Sequence, residues 1–199
     1  MNEGKFSGTV LLLLKLRAVL VLVLLLVAFS AMAPEDRQRD GLVPDMSIRE
    51  NISLASLAEF SRGGWVQRGD EAARVREIAG QLQIAAVDLE LSVTTLSGGN
   101  QQKVVLARCL MRRPRVILMD EPTRGVDVRA KAEIYKTLRE LAAKGLSIVF
   151  TSSEIEETQQ LADRVLVMAQ GKIAAEFESS DASDEALFAA ASPSVEARP

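Results

Sequence analysis

The sequence contains no histidine and only one cysteine, Cys109, in 199 residues. The absence of histidine excludes an imidazole general base and a histidine-ligated metal. A single cysteine cannot form an intramolecular disulfide, and it is typical of a reducing compartment. Because Cys109 lies in an apolar stretch, we expect a small buried side chain there and not a reactive thiol. Chemistry in this chain must therefore rely on carboxylates, hydroxyls and backbone amides.

The chain also lacks an excess of charge of one sign. It has 24 lysines and arginines against 27 aspartates and glutamates, a net charge of −3. A nucleic-acid-binding surface would require a basic patch or stripe. We therefore expect no nucleic acid among the partners. The length favours one domain, with a possible appendage at one end.

Residues 1–33 differ in composition from the rest. The stretch 9–33 reads TVLLLLKLRAVLVLVLLLVAFSAMA, and from Ala18 onward Ser30 is its only polar residue. This predicts an N-terminal transmembrane helix, with Lys15 and Arg17 at the membrane interface. Its orientation stays open, since basic residues flank both sides. The segment also resembles the first membrane span of bacterial sugar-importer permeases.

Two alternatives for the apolar segment remain. Ala31, Met32 and Ala33 have the small-x-small pattern of a signal-peptide cleavage site, although Pro34 directly after them disfavours cleavage. A buried helix of a soluble domain is the third interpretation. It fits least well, because leucine and valine occupy all sides of the helix.

The remainder divides by pattern into a polar, mixed region at 34–95 and an alternating region from 96 onward. Periodicity predicts helices at 51–60, 72–82, 101–112, 127–143 and 154–162, and short apolar strands at 116–119, 147–151 and 164–168. The alternation after residue 96 predicts a parallel sheet that contains all three strands, with right-handed crossovers. Residues 179–199 predict a short helix and a flexible tail.

A glycine motif lies at 96–102, which reads LSGGNQQ. Gly98 and Gly99 let the backbone approach a ligand, and the free N–H groups of a helix N-terminus favour an anion. Ser97 adds a hydroxyl donor. A glycine turn with a serine cap would be the simpler interpretation of these residues alone. The continuation through Gln101 and the strand that follows favour a binding site.

Two carboxylates follow the predicted strand at 116–119. Asp120 lies at the C-terminal end of a parallel strand, where α/β proteins bind ligands, and a carboxylate there suits Mg²⁺. Glu121 can orient or deprotonate an attacking water in phosphoryl transfer. Without the LSGGNQQ motif, a solvated strand end would be the better explanation for this pair.

Together, LSGGNQQ and the segment RVILMDEPT at 115–123 resemble the signature motif and the Walker B segment of ABC-type ATPases. The resemblance covers about residues 33–190. It is greatest to the second cassette of the tandem ATPase subunits that serve bacterial ribose, galactose and xylose importers. The marks are PEDRQRDGL at 34–42 and Asn100, where most ABC proteins have glutamine. The resemblance implies an α/β fold, a partial P-loop NTPase (ABC cassette) with a parallel sheet at 96–178 and a helical subdomain at 34–95.

The resemblance also implies roles for individual residues. Glu35 takes the glutamine-loop position, residues 125–127 with Asp127 form the aspartate loop, and Ser153 takes the switch-histidine position. ATP and Mg²⁺ are the implied cofactors. Contacts with the nucleotide are expected from Ser97, Gly98, Gly99, Asn100 and Gln101. The implied partners are a second cassette and a sugar-importer permease, at the cytoplasmic face of the bacterial inner membrane.

One element of the family is missing from these residues: no G-x-x-x-x-G-K-[ST] phosphate-binding loop occurs in them. Backbone amides and the lysine of that loop supply most phosphate binding. We therefore expect no autonomous ATP hydrolysis. Three functions stay open: a signature loop that serves a partner's ATP, a membrane-tethered module that docks on a permease without hydrolysis, and a rearrangement product without function.

Overall fold

The computed structural model describes residues 30–34 and 37–192. In this part of the chain the strands are β1 (Ser30–Ala33), β2 (Ser61–Arg62), β3 (Trp65–Val66), β4 (Val116–Asp120), β5 (Ser147–Thr151), β6 (Arg164–Ala169) and β7 (Lys172–Glu178). The α-helices are α1 (Ile48–Ser53), α2 (Arg68–Gln81), α3 (Gly98–Met111), α4 (Val128–Ala143), α5 (Ile155–Leu161) and α6 (Asp184–Ala191). Short 3-10 helices lie at Leu54–Phe60, Val93–Thr95 and Ser179–Asp181, and a π-helical turn at Arg37–Gly41.

A parallel sheet of strands in the order β1-β4-β5 forms the centre of the fold. Ala31, Ile117 and Ile148 lie in one row across the three strands. Side chains alternate between the two faces of a strand. Ala31 and Ala33 are therefore buried on the face that packs under α3, whereas Met32 between them is exposed.

Strand β1 corrects the prediction for the end of the apolar segment. Residues 30–33 were expected to close a membrane helix, and they form a strand paired with Val116 to Met119 of β4. No helix within 30–34 and 37–192 is long and apolar enough to cross a bilayer. The cleavage pattern of the signal-peptide alternative, Ala31 to Ala33, lies in this strand. The rest of the predicted span, and of that alternative, falls on residues 1–29, outside the described residues.

The predicted parallel sheet is confirmed for β4 and β5 and is wrong for the strand at 164–168. That segment forms β6, which pairs antiparallel with β7 in a separate sheet. Gln170 and Gly171, between the two strands, both have positive φ, at 50° and 75°. Two such residues make the tight hairpin turn whose twist suits antiparallel strands, so β6 finds its partner locally. The third strand of the parallel sheet is β1.

Helices α1, α2 and α3 pack together beside the sheet. Helix α1 begins at a capping box, in which Ser47 and Glu50 each bind the other's backbone N–H. The predicted apolar stripe of α2 is buried as expected, at Val75, Ile78, Ala79 and Leu82. The larger departures from the predicted bounds are these: α2 begins at Arg68, α3 begins at Gly98, and the segment 51–60 divides into the end of α1 and a 3-10 helix.

Cys109 lies on α3 at the contact with β1. It is 5% exposed, and its Sγ lies 3.6 Å from the carbonyl oxygen of Met32. Burial raises the pKa of the Cys109 thiol to about 11, because a thiolate would lose its hydration there. The expectation of a small buried side chain is therefore confirmed.

This burial predicts slow alkylation of Cys109 by iodoacetamide in the folded protein. The thiolate is the nucleophile, and at pH 8 a pKa of about 11 leaves about one thiol in a thousand ionised. The labelling rate should rise about tenfold per pH unit up to pH 10, and unfolding in urea should abolish the protection. The pKa of the Cys109 thiol is higher in the folded state than in the unfolded state. The free energy of unfolding should therefore fall as pH rises above about 9, the ordinary pKa of this thiol. Equal labelling rates in native buffer and in urea at pH 8 would contradict the packing of β1 on α3.

Candidate functional site

Residues 96–102, called the signature loop below, comprise the turn before α3 and the first residues of that helix. Ser97 is the N-cap of this helix, and its hydroxyl oxygen accepts a bond from the Asn100 N–H at 3.5 Å. Asn100 Nδ2 donates to the same oxygen at 3.0 Å. Since Ser97 Oγ accepts both bonds, its own O–H remains a donor. The loop therefore presents a hydroxyl beside a helix N-terminus, an arrangement that suits an anion.

Gly98 and Gly99 are required by packing. A Cβ on Gly99 would lie 2.6 Å from the Cβ of Ala130 in α4, and a Cβ on Gly98 would lie 2.7 Å from Arg37 Nη2. Neither glycine has a left-handed φ, so close approach is the reason for both.

The side chains of Asn100 and Gln101 bond to the segment that precedes α3. Asn100 Oδ1 accepts a bond from the Ala85 N–H at 2.9 Å. Gln101 is 9% exposed, and its Nε2 lies 3.4 Å from the carbonyl oxygen of Val93. These two side chains attach α3 to the loop before it. Of the predicted nucleotide contacts, Ser97, Gly98 and Gly99 are the better placed.

The adjacent C-terminal ends of β4 and β5 bring the predicted catalytic residues together. Asp120 Oδ1 accepts a hydrogen bond from the Thr151 hydroxyl. Glu121 Oε1 accepts a bond from the Ser153 N–H at 2.8 Å. Ser153 thus meets Glu121 through its backbone, which leaves its side chain free of this contact.

Glu121 has a strained backbone, with φ at 46°. A left-handed conformation costs a residue with a side chain about 1–3 kcal/mol. Two backbone hydrogen bonds hold it in place: Glu121 N–H to Thr151 O at 3.0 Å, and Arg124 N–H to Glu121 O at 3.1 Å. Such strain is common at functional sites, where it orients a side chain.

The aspartate loop, residues 125–127, follows this turn. Asp127 is the N-cap of α4, as predicted, and its Oδ1 accepts a bond from the Ala130 N–H at 3.0 Å. Nearby, Lys131 Nζ lies 2.6 Å from Glu154 Oε1, and this pairing raises the pKa of Lys131. The contact joins the start of α4 to the residue before α5. Glu35, the predicted glutamine-loop residue, lies outside the described residues.

A buried carboxylate that the sequence patterns did not identify links the turns that carry Glu121 and Ser153. Glu157 in α5 is 1% exposed. Its Oε1 accepts a bond from Thr123 Oγ1 at 2.7 Å and its Oε2 accepts one from Ser152 Oγ at 2.6 Å. Because Thr123 follows Glu121 and Ser152 precedes Ser153, Glu157 holds together the turns that carry this pair. No sequence signal separates Glu157 from its exposed neighbours, since only the tertiary fold buries it.

Metal binding would rely on few protein groups. Within 30–34 and 37–192, no cluster of three or more acidic, cysteine or histidine side chains could hold a metal ion. Mg²⁺ in phosphoryl-transfer sites commonly takes one or two carboxylates, with phosphate and water for the remaining ligands. Asp120, at the strand end, fits that limited role.

Comparison with known proteins agrees with this geometry. The ABC transporter family model matches residues 31–124. The solved structure of MJ1267, an ATP-binding cassette of an ABC transporter, superposes with a TM-score of 0.68 over 82% of this chain and 68% of that chain, at 21% identity. MJ0796, described as a dimeric ATP-binding cassette in a post-hydrolysis state bound to ADP and Pi, superposes with a TM-score of 0.62 over 75% of this chain and 62% of that chain, at 24% identity. The fold is that of an ABC ATPase cassette.

Relatives with similar sequences match over most of this chain. The chain is 45% identical over 163 residues to a ribose import ATP-binding protein of Rhodopirellula baltica, and the match covers 82% of this chain and 32% of the relative. It is 50% identical over 158 residues to one of Chromobacterium violaceum, with 79% of this chain and 32% of the relative covered. The chain thus spans about a third of the length of these relatives.

The crowding at Gly99 predicts opposite effects for two glycine-to-alanine changes. Gly99→Ala should destabilise the cassette by about 1–3 kcal/mol, because the new methyl group overlaps Ala130. Gly80→Ala, in α2, meets no atom within 4 Å and should stabilise by about 0.4–1 kcal/mol, since alanine restricts the unfolded chain. Urea unfolding followed by circular dichroism measures both. Equal shifts in the same direction would show that Gly99 is not closely packed against α4.

Proposed function

We propose that this chain is part of an ATP-binding cassette subunit of a bacterial carbohydrate importer, at the cytoplasmic face of the inner membrane. The observation that carries the proposal is the N-terminus of α3, where the Ser97 hydroxyl lies beside the start of a helix, an arrangement that suits an anion. The similarity to ribose import ATP-binding proteins supports carbohydrate as the transported class.

The site divides into two functional parts. The signature loop contributes Ser97, Gly98 and Gly99 to an ATP held by a partner cassette. Since these 199 residues contain no G-x-x-x-x-G-K-[ST] sequence, we assign the loop that holds the phosphates to that partner. Donors fixed on a helix N-terminus stabilise negative charge without reorganisation, which is how such a loop would favour phosphoryl transfer.

The second part is the strand-end pair Asp120 and Glu121. When bound, Mg²⁺ supplies charge neutralisation for the phosphates, and Asp120 is the carboxylate placed to hold it. Glu121 can accept a proton from an attacking water, and its bond from the Ser153 N–H holds the carboxylate in one orientation. This pair requires a phosphate-binding loop beside it, so we expect no hydrolysis by this chain alone.

A second candidate, docking on a permease without hydrolysis, is supported by a cavity in the helical region. The cavity has a volume of about 220 Å³. Leu54, Leu57 and Val66 make its apolar lining. Its charged lining is balanced, with two arginines and two glutamates, and Arg49 is paired with Glu71 at 2.7 Å. A short helix with an apolar face would fit this surface.

The deciding experiment measures Mg²⁺-dependent ATP hydrolysis by the full chain alone, by an intact ribose-importer cassette alone, and by the two together. We expect no hydrolysis by this chain alone and stimulation of the partner. Ser97→Arg should reduce the stimulation by about tenfold or more, because the side chain blocks the anion surface. Ser97→Ala, which removes only the hydroxyl, should give a smaller loss.

Ser180→Arg is the matched control, since Ser180 is exposed in a 3-10 helix of another part of the chain. Hydrolysis by this chain alone would contradict the assignment of the phosphate loop to a partner. Equal stimulation by the wild type and by Ser97→Arg would refute the role of the signature loop. Co-purification with a permease, without any stimulation, would favour the docking module.

A further inference from the structure

Arg37 forms a contact between distant parts of the chain. It lies in the π-helical turn Arg37–Gly41 and is 8% exposed. Its Nη1 donates to the carbonyl oxygen of Arg124 at 2.6 Å, and its Nη2 donates to that of Gly125 at 3.1 Å. The two acceptors are successive carbonyls at the entry to the aspartate loop.

The same guanidinium also lies against the signature loop. A Cβ built on Gly98 would be 2.7 Å from Arg37 Nη2 and 3.5 Å from the carbonyl oxygen of Gly125. Arg37 therefore occupies the space between the start of α3 and the aspartate loop. One buried cation is in contact with both loops.

Arginine suits this position for a geometric reason. Gly125 has φ at 66°, so the backbone turns there and directs two successive carbonyls toward the guanidinium. The planar guanidinium offers donors in a fixed fork, which can bind both carbonyls at once. A lysine ammonium carries its charge at one atom on a flexible chain, and it would not reproduce this pair of bonds.

We propose that Arg37 is a positioning residue that holds the signature loop and the aspartate loop in one fixed arrangement. The two hydrogen bonds fix the aspartate loop to the guanidinium, and the contact with Gly98 fixes the start of α3 against the same group. The consequence for activity rests on the proposed function, in which the signature loop acts on a partner's ATP. Loss of Arg37 should then lower the maximal stimulation of the partner while the chain stays folded.

Hydrogen exchange in the full chain alone tests the positioning without any partner. The reporting amides are Gln101, bonded to Ser97 O at 2.9 Å, and Val126, bonded to Thr123 O at 3.1 Å. In Arg37→Lys, exchange at both amides should increase together by about tenfold, since one charged hydrogen bond or more is lost. Arg139→Lys is the control, because Arg139 donates to one exposed carbonyl, that of Gln160, at 3.2 Å.

Arg37→Gln serves as a second variant if Arg37→Lys loses its fold by circular dichroism. Unchanged exchange at both amides, or a change at only one, would overturn the proposal. The activity measurement uses the partner assay with increasing concentrations of this chain. Arg37→Lys should reduce the maximal rate severalfold and leave the half-saturating concentration unchanged, and millimolar guanidinium should restore part of the rate in Arg37→Ala.

The two sets of results separate this inference from the proposed function. Suppose that the wild-type chain does not stimulate the partner, but that hydrogen exchange at both amides increases in Arg37→Lys. Positioning by Arg37 is then supported and the proposed function is refuted. If the wild type stimulates the partner and Arg37→Lys keeps the full maximal rate with unchanged exchange, the function stands and positioning is refuted. A rise in the half-saturating concentration alone would also refute it, since that would make Arg37 part of the contact with the partner.

Discussion

The close packing around the first turn of α3 is the constraint on which the candidate site depends. Ala130 of α4 approaches Gly99, and the Arg37 guanidinium approaches Gly98, so neither position has space for a Cβ. Dense interiors respond to the addition of even one methylene. Gly98 and Gly99 are therefore the residues that let α3, α4 and the Arg37 turn meet at the candidate site.

The strand ends form the second part of the site, and parallel pairing is the reason. Adjacent parallel strands end at the same edge of a sheet, so the turn after β4 lies beside the turn after β5. Glu121 thereby meets the backbone N–H of Ser153. The left-handed backbone at Glu121 is kept by hydrogen bonds to its neighbours, and Glu157 joins both turns from below. A buried carboxylate with two hydroxyl donors is well satisfied, which explains how α5 can carry it at 1% exposure.

Sequence patterns predicted the parts of the site that depend on local geometry. Ser97 and Asp127 were both expected at helix starts, and both are N-caps in the structure, because a cap is decided within three or four residues. The same patterns could not tell that Gln101 turns inward, since that depends on its distant neighbours. Arg37 belongs to the segment PEDRQRDGL, which is one mark of the family resemblance. Its contact with Gly125, 88 positions away, has no sequence signature.

The sequence by itself determined the local elements: the apolar stripe of α2, the apolar runs of β4 and β5, and the caps of α3 and α4. These follow from side-chain periodicity and short-range hydrogen bonds, which neighbouring residues specify. Tertiary structure alone decided that β1 joins the parallel sheet and that β6 lies in a separate one. An apolar run fits a buried strand as well as a helix, so Ser30–Ala33 became β1 only through pairing with β4. Likewise, β6 pairs with β7 and not with the parallel sheet. A two-residue turn between β6 and β7 costs less chain entropy than the long crossover that a parallel partner would need.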